Sequence, residues 1–247
     1  MRNFLTLYRR ELKTLYLTPV GYIVMTAFLF VLGWVFWLLV GLLTMPDVAQ
    51  YQDNVFAILF GNTFFFWIML AAVSAALTMR LFAEERRSGT IEVLMTAPVT
   101  DVQVVFSKYC AALTFLLLLW VPTLCYVLVL SRYATIDLGV LCASYLGTIL
   151  LSGLLTAIGL LISSFTRSQI VAFFVAFVVI MMLFSLNFMQ TMVSPQWRAI
   201  YAYTSILEQF SNFPRGIIDS RPIVYFVSAT VVLLFCTVKS VESHKWR

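Results

Sequence analysis

The sequence predicts an all-α polytopic membrane protein. It has six transmembrane helices, an N-terminal interfacial helix, a short cytoplasmic helix between spans 2 and 3, and an amphipathic segment at the outer leaflet. Three observations predict this. Of the 247 residues, 62% are hydrophobic and only 11% charged, whereas soluble domains carry about 25% charged residues. Apolar runs close to the ~20 residues that cross a bilayer fall at about 19–43, 55–79, 109–130, 138–165, 169–192 and 222–238. The basic residues are also unevenly shared among the connecting segments. Twelve (Arg2, Arg9, Arg10, Lys13, Arg80, Arg86, Arg87, Lys108, Arg167, Lys239, Lys245, Arg247) fall on the side of the N-terminus, and four (Arg132, Arg198, Arg215, Arg221) on the other. Lys and Arg mark cytoplasmic loops, so both termini are expected in the cytoplasm. The net charge of +5 is thus a topology signal and no argument for nucleic-acid binding.

Residues 2–18 place Phe4, Tyr8, Leu12, Leu15 and Tyr16 on one side of a helical wheel and Arg2, Arg9, Arg10 and Lys13 on the other. That is an interfacial helix with a basic face toward lipid headgroups. Glu11 falls near the apolar side, where a free carboxylate is costly. Arg86 and Arg167 are its candidate partners, and a plain surface salt link is the alternative. Pro19 turns the chain into span 1, and the charged segment leading directly into a full-length span gives no expectation of a cleavable signal peptide. Span 2 is aromatic in its outer half and small in its middle (Ala71, Ala72, Ser74, Ala75, Ala76).

Residues 79–98 hold the densest charge in the chain: Arg80, Glu84, Glu85, Arg86, Arg87 and Glu92. Gly89 interrupts the chain and is expected to open a helix. Thr90–Ala97 then spans about 12 Å at ~1.5 Å per residue. Ile91, Leu94 and Met95 recur at i, i+3 and i+4 and share one face, and Pro98 stops the helix. The apolar ridge is suited to a groove on another protein; the plainer alternative is a charged cytoplasmic turn.

Thr100-x-x-Gln103 is a capping box and starts a helix that continues as span 3, over 103–130. Lys108 is expected to snorkel to the inner interface, and Pro122 to kink the span. Span 4 carries Ala143-x-x-x-Gly147 and Gly153-x-x-x-Ala157, and span 5 carries Ala172-x-x-x-Ala176. Small residues allow close helix approach in lipid, so Gly147, Gly153, Ala172 and Ala176 are candidate subunit-packing positions. Ser185, Asn187 and Gln190 either line a path or satisfy neighbouring helices; the second reading is preferred. In 194–221, Trp197, Tyr201, Tyr203, Phe210 and Phe213 suit a membrane interface. Ser205-x-x-Glu208 caps a short helix there that ends before Pro214.

The stretch E-E-R-R-x-G-T-I-E-V-L-M-T-A-P-V-T-D, residues 84–101, resembles the coupling-helix segment of ABC-2-type transporter permeases, in particular their gliding-motility GldF-like branch. R-R-E-L-K with Y-L-T-P-V-G-Y-I-V near the start, and F-P-R-G-I-I-D-S-R before span 6, are similar to the same branch. The resemblance thus covers nearly the whole chain as one transmembrane domain, 1–247. It implies that Glu84, Glu85, Arg86, Arg87, Gly89, Thr90, Ile91, Glu92, Leu94, Met95, Thr96 and Pro98 form the contact with a separate ATP-binding subunit. It implies that ATP and Mg are held by that partner and no cofactor by this chain. It further implies a second permease copy, an auxiliary GldG-like protein with an extracytoplasmic domain, and a bacterial cytoplasmic membrane.

The residues themselves exclude several chemistries. No G-x-x-x-x-G-K-[ST] loop occurs, and the only histidine is His244, in the tail, so a Ser–His hydrolase has no imidazole. Cys110, Cys125, Cys142 and Cys236 fit neither a zinc site nor a disulfide framework and read as packing residues. The apolar runs hold Asp, Glu, Lys and Arg only near their ends, which argues against a proton-driven carrier. Two functions remain beside a stand-alone carrier: export driven by ATP hydrolysis on the partner, or a membrane anchor that transmits ATPase motion without moving a solute.

Overall fold

The computed structural model describes residues 2–43, 64–90, 99–132, 137–189, 194, 201 and 203–243. Among these there is no β-strand, and six helices are long and apolar enough to cross a membrane. In chain order the helices are α1 (Arg2–Leu17), α2 (Pro19–Leu43), α3 (Phe64–Thr78), α4 (Arg80–Ser88), α5 (Asp101–Trp120), α6 (Thr123–Leu130), α7 (Leu138–Phe165), α8 (Gln169–Met189), α9 (Ile206–Phe210) and α10 (Ser220–Ser243), with a 3-10 turn at Phe213–Arg215.

The bundle is arranged around α7, which packs against α3, α4, α5, α8, α10 and the 3-10 turn. Its composition allows this. Sixteen of its 28 residues are buried, most of them Ala, Ser, Gly or Thr, and over 151–160 the helix is enclosed on all sides. Small side chains let backbones approach closely where lipid offers no hydrophobic drive to association. Its hydroxyls turn back on their own helix: Thr148 donates to the Ser144 carbonyl at 2.8 Å and Thr156 to that of Ser152 at 2.7 Å. That satisfies a donor that hydrocarbon cannot.

This central position corrects the expected subunit-packing face. A Cβ on Gly147 would lie 2.6 Å from the Phe213 ring, and one on Gly153 would lie 3.0 Å from the Tyr109 hydroxyl. Ala172 and Ala176 are fully buried on α8, a helix that packs on α3 and α7 of the same chain. All four small residues therefore serve packing within the subunit.

The far end of the bundle shows a related difference. Ser205 caps α9 as expected, accepting from the Glu208 amide at 3.4 Å. Phe210 and Phe213 do not lie along an interface, however. Both are fully buried, with Phe210 at 5.3 Å from Trp67 and Phe213 at 6.5 Å from Phe226 between ring centroids. The space opened by Gly147 draws Phe213 inward. Tyr203 remains exposed, and Trp197 and Gln190 lie outside the described residues. Asn187 accepts a hydrogen bond from Ser205 at 3.4 Å, and Ser185 donates to its own helix at Met182.

Pro122 acts as expected. α5 ends at Trp120, the chain turns at Val121–Pro122 and α6 resumes at Thr123, because proline has no N–H for the ladder and crowds the preceding turn. The four cysteines are free. Cys110 is half-buried, and Cys125, Cys142 and Cys236 are exposed rather than packed inside.

Candidate functional site

The charged stretch lies at the end of the bundle formed by α1, α4, the start of α5 and the end of α7. Its local structure begins with a broken helix. α3 stops at Thr78, Met79 is a single turn residue, and α4 continues from Arg80. A new helix has amide groups in its first turn without intrahelical acceptors, and α4 has no local side-chain cap. Ser163, near the end of α7, supplies one from across the bundle. Its hydroxyl accepts from the Phe82 amide at 3.1 Å and the Ala83 amide at 3.2 Å, and donates to the Met79 carbonyl at 3.0 Å. One turn earlier on α7, a Cβ on Gly159 would run into Thr78. The break is thus pinned to the central helix by two adjacent turns.

α4 runs two turns further than the end of span 2 expected from composition, so Glu84, Glu85, Arg86 and Arg87 are helical. Gly89 interrupts the chain as expected, and Thr90 directly after it is again helical; it has a second role that composition did not reveal. It closes α4, with φ 73°, in the left-handed conformation that glycine adopts without a Cβ penalty. Arg86 and Arg87 occupy the last turn, where cations favour the helix dipole. Thr90 joins this cap through its hydroxyl, 2.9 Å from that of Ser88. Ile91, Glu92, Leu94, Met95, Thr96 and Pro98, expected to form the short helix and its stop, lie outside the described residues.

The middle of α4 is held by a buried ionic cluster. Lys108 of α5 is 1% exposed. Its ammonium lies 2.8 Å from Glu85 Oε1 and 3.2 Å from Glu11 Oε1, and 5.3 Å from the centre of the Phe82 ring. Arg10 of α1 approaches the same Glu85 oxygen at 3.6 Å. Two cations and two carboxylates from three helices therefore balance one another. This replaces two expectations. Lys108 points inward rather than snorkelling, and Glu11, 8% exposed, pairs with Lys108 rather than with Arg86 or Arg167. The reason is geometric: Lys108 lies on the face of α5 that α1 covers, with Tyr8 donating to Thr114 at 3.0 Å and the Tyr16 ring tilted against that of Phe115, 4.9 Å between centroids. Arg80 and Glu84 form a separate pair along α4 at 3.2 Å.

A cavity of about 110 Å³ adjoins the cluster, lined by Arg10, Glu11, Thr14, Arg80, Glu84, Glu85 and Lys108 among others. Arg80 Nη1 and Glu85 Oε2 are buried there without a protein partner. A cavity this polar accommodates several waters, each of which needs only about 10–15 Å³. Among the described residues no group of three or more His, Cys, Asp or Glu could hold a metal ion.

The geometry makes α4 a short rod fixed at three points: its start to α7, its middle to α5, and through Glu85 and Lys108 to α1. Gly159 is legible in sequence as part of a small-residue packing face, but the roles of Ser163 and the inward Lys108 are not, since their partners lie 23 to 97 positions away. The chain matches none of the curated proteins with which it was compared. A family model for the ABC-2 family transporter protein, in contrast, matches residues 6–238, from within α1 to near the end of α10 and through the whole clamped segment, and the chain belongs to that family.

Proposed function

We propose that this chain is the transmembrane subunit of an ABC exporter of the GldF-like branch and that it carries no catalytic site of its own. ATP and Mg bind a separate ATP-binding subunit on the cytoplasmic side. The segment following Gly89, with Ile91, Leu94 and Met95 as its apolar ridge, seats in a groove of that subunit. Closure of the ATPases pushes the segment, and α4 passes the push on. A second copy or a related permease completes the pathway, and a GldG-like protein with an extracytoplasmic domain acts with it.

The observation that supports this reading is the attachment of α4. A charged loop with no mechanical task needs no cap from another helix and no buried lysine at its middle. Here, displacement of α4 either carries α1, α5 and α7 with it or breaks a buried ion pair. Breaking such a pair costs about 3–5 kcal/mol when one charge is left alone, so correlated motion is the cheaper response.

The test is Leu94→Asp. The substitution puts an unpaired carboxylate into the proposed groove, while burial of a large apolar side chain there contributes roughly 1.5–3 kcal/mol. Detergent-solubilised variant should lose capture of the ATP-binding subunit, and vesicles carrying both subunits should lose ATP-dependent flux. Its size-exclusion profile should stay that of the wild type. Wild-type capture and wild-type coupled turnover would mean that the segment is an ordinary loop.

A further inference from the structure

From Phe64 to Ser88 the chain contains neither glycine nor proline, so the break between α3 and α4 has no helix breaker behind it. Met79, at the break, holds φ −52° and ψ −32°, which are helical values. Its amide still donates to the Ala75 carbonyl at 2.9 Å. The cause of the break therefore lies outside these residues. It is the Ser163 side chain of α7, fully buried and placed at the break by three hydrogen bonds.

In an unbroken helix the amides of Phe82 and Ala83 donate to the carbonyls of Thr78 and Met79, four residues back. Here both donate to the Ser163 hydroxyl, which gives its own hydrogen bond to the Met79 carbonyl. One hydroxyl thus stands in for the local ladder, and a side chain inserted in this way kinks a helix. The exchange reverses without stranding a polar group. With Ser163 withdrawn, the two amides regain the Thr78 and Met79 carbonyls. The hydroxyl then turns back on the Gly159 carbonyl of its own helix, the four-residue bond that Thr148 and Thr156 already make on α7. Neither arrangement buries a donor without an acceptor, which would be costly in an apolar interior. That is what a two-state element requires.

We propose that α3 and α4 are one helix held broken by Ser163, and that the break at Met79 is a conformational device of the fold. Ser163 in place gives the broken helix, and Ser163 withdrawn gives a continuous one. The ion pairs of Glu85 with Lys108 and Arg10 have no such substitute, so α4 stays with α5 and α1 when it parts from Ser163. The nine residues of α4 make a lever about 13 Å long. A change of about 20° at Met79, the size of an ordinary kink, moves its end by about 5 Å. That an ATP-binding subunit drives this lever rests on the function proposed above; the break and its release do not.

The experiment is double electron–electron resonance on the detergent-solubilised chain alone, in a background lacking the four native cysteines. One spin label sits at Ser88→Cys, the exposed end of α4, and the second in turn at Ser220→Cys and Ser243→Cys, the exposed ends of α10. α10 serves as the reference because it packs on α7 and accepts a hydrogen bond from Ser164 at Ser240. Ser163→Ala removes the inserted oxygen. It should shift at least one of the two mean distances by about 5 Å, with helix content by circular dichroism unchanged. Unchanged means for both pairs would overturn the proposal. Broadened distributions with lost helix content would overturn it too, since Ser163 would then be an ordinary cap whose removal frays α4. No ATP-binding subunit is present, so either failure leaves the coupling proposal standing. Equally, wild-type capture by Leu94→Asp would leave the break untouched.

Discussion

Lys108 is the residue on which the charged end of the bundle depends most. It lies two turns into α5, where a lone ammonium would be costly to bury, and it is tolerated because Glu11 and Glu85 both reach it. Truncating one member of a buried pair is worse than replacing the whole set, since the remaining charge has no water and no partner. Lys108→Met leaves two carboxylates facing one another, with the partly exposed Arg10 and, across the adjoining cavity, Arg80 as the remaining cations. The expected loss is about 3–5 kcal/mol, which for a chain of this size lowers the apparent Tm by on the order of 10 °C. Thermal unfolding in detergent, followed by circular dichroism, measures it. Glu11→Gln with Glu85→Gln in the Lys108→Met background should recover much of the loss by removing the stranded charges. An unchanged Tm for Lys108→Met would mean that the cluster is solvated and contributes nothing. Composition places Lys108 near a span end, where snorkelling is ordinary. Its inward direction depends on α1 folding back over α5, which only the tertiary structure reveals.

At the scale of elements, the helices were legible because lipid demands long apolar runs and marks their ends with breakers. The run at 138–165 is Leu138–Phe165 in the structure, Pro122 divides the third span, and the Thr100–Gln103 capping box is in place with the Gln103 amide donating to Thr100 at 3.3 Å. What was not legible was the use of each face. Gly147, Gly153, Ala172 and Ala176 carry the spacing of helix–helix contacts, but spacing does not say whether the other helix belongs to the same chain. Gly89 was legible as the break before a helical Thr90 but not as the cap of α4, since that helix carries charged residues that composition assigns to a loop. Its left-handed φ makes a graded prediction. Asn tolerates this region, Ala pays roughly 1–2 kcal/mol, and Pro, fixed near −65°, is excluded. Tryptic cleavage after Arg86 and Arg87 should therefore rise in the order Gly89, Gly89→Asn, Gly89→Ala, Gly89→Pro, with helix content unchanged. Equal cleavage in all four would show that Gly89 does not set the end of α4.

For the whole molecule, packing and charge agree on which segments share an end. α4 contacts the end of α7 through Ser163, and Ser164 donates to Ser240 of α10 at 2.9 Å. Arg9, Arg10, Lys13, Arg80, Arg86, Arg87, Lys108, Arg167 and Lys239 therefore gather at one end of the bundle. At the other end, Gly216 lies against Val140 at the start of α7, and Tyr225 donates to the Thr204 carbonyl at 2.9 Å, which brings Arg215 and Arg221 together there, with Arg132 beyond the end of α6. The charge imbalance read along the chain is thus a polarity of the folded bundle. Basic residues are retained on the cytoplasmic side, so the clamped end should face the cytoplasm, where an ATP-binding subunit can reach it. The check is labelling of single cysteines in a chain lacking the four native ones. In intact cells a membrane-impermeant maleimide should modify Asp219→Cys, in the exposed stretch before α10, and not Ser88→Cys, at the end of α4. In inverted vesicles the pattern should reverse. Modification of Ser88→Cys from outside would place the ionic cluster in the wrong compartment for any contact with ATP-binding subunits, and the coupling proposal would fail with the topology.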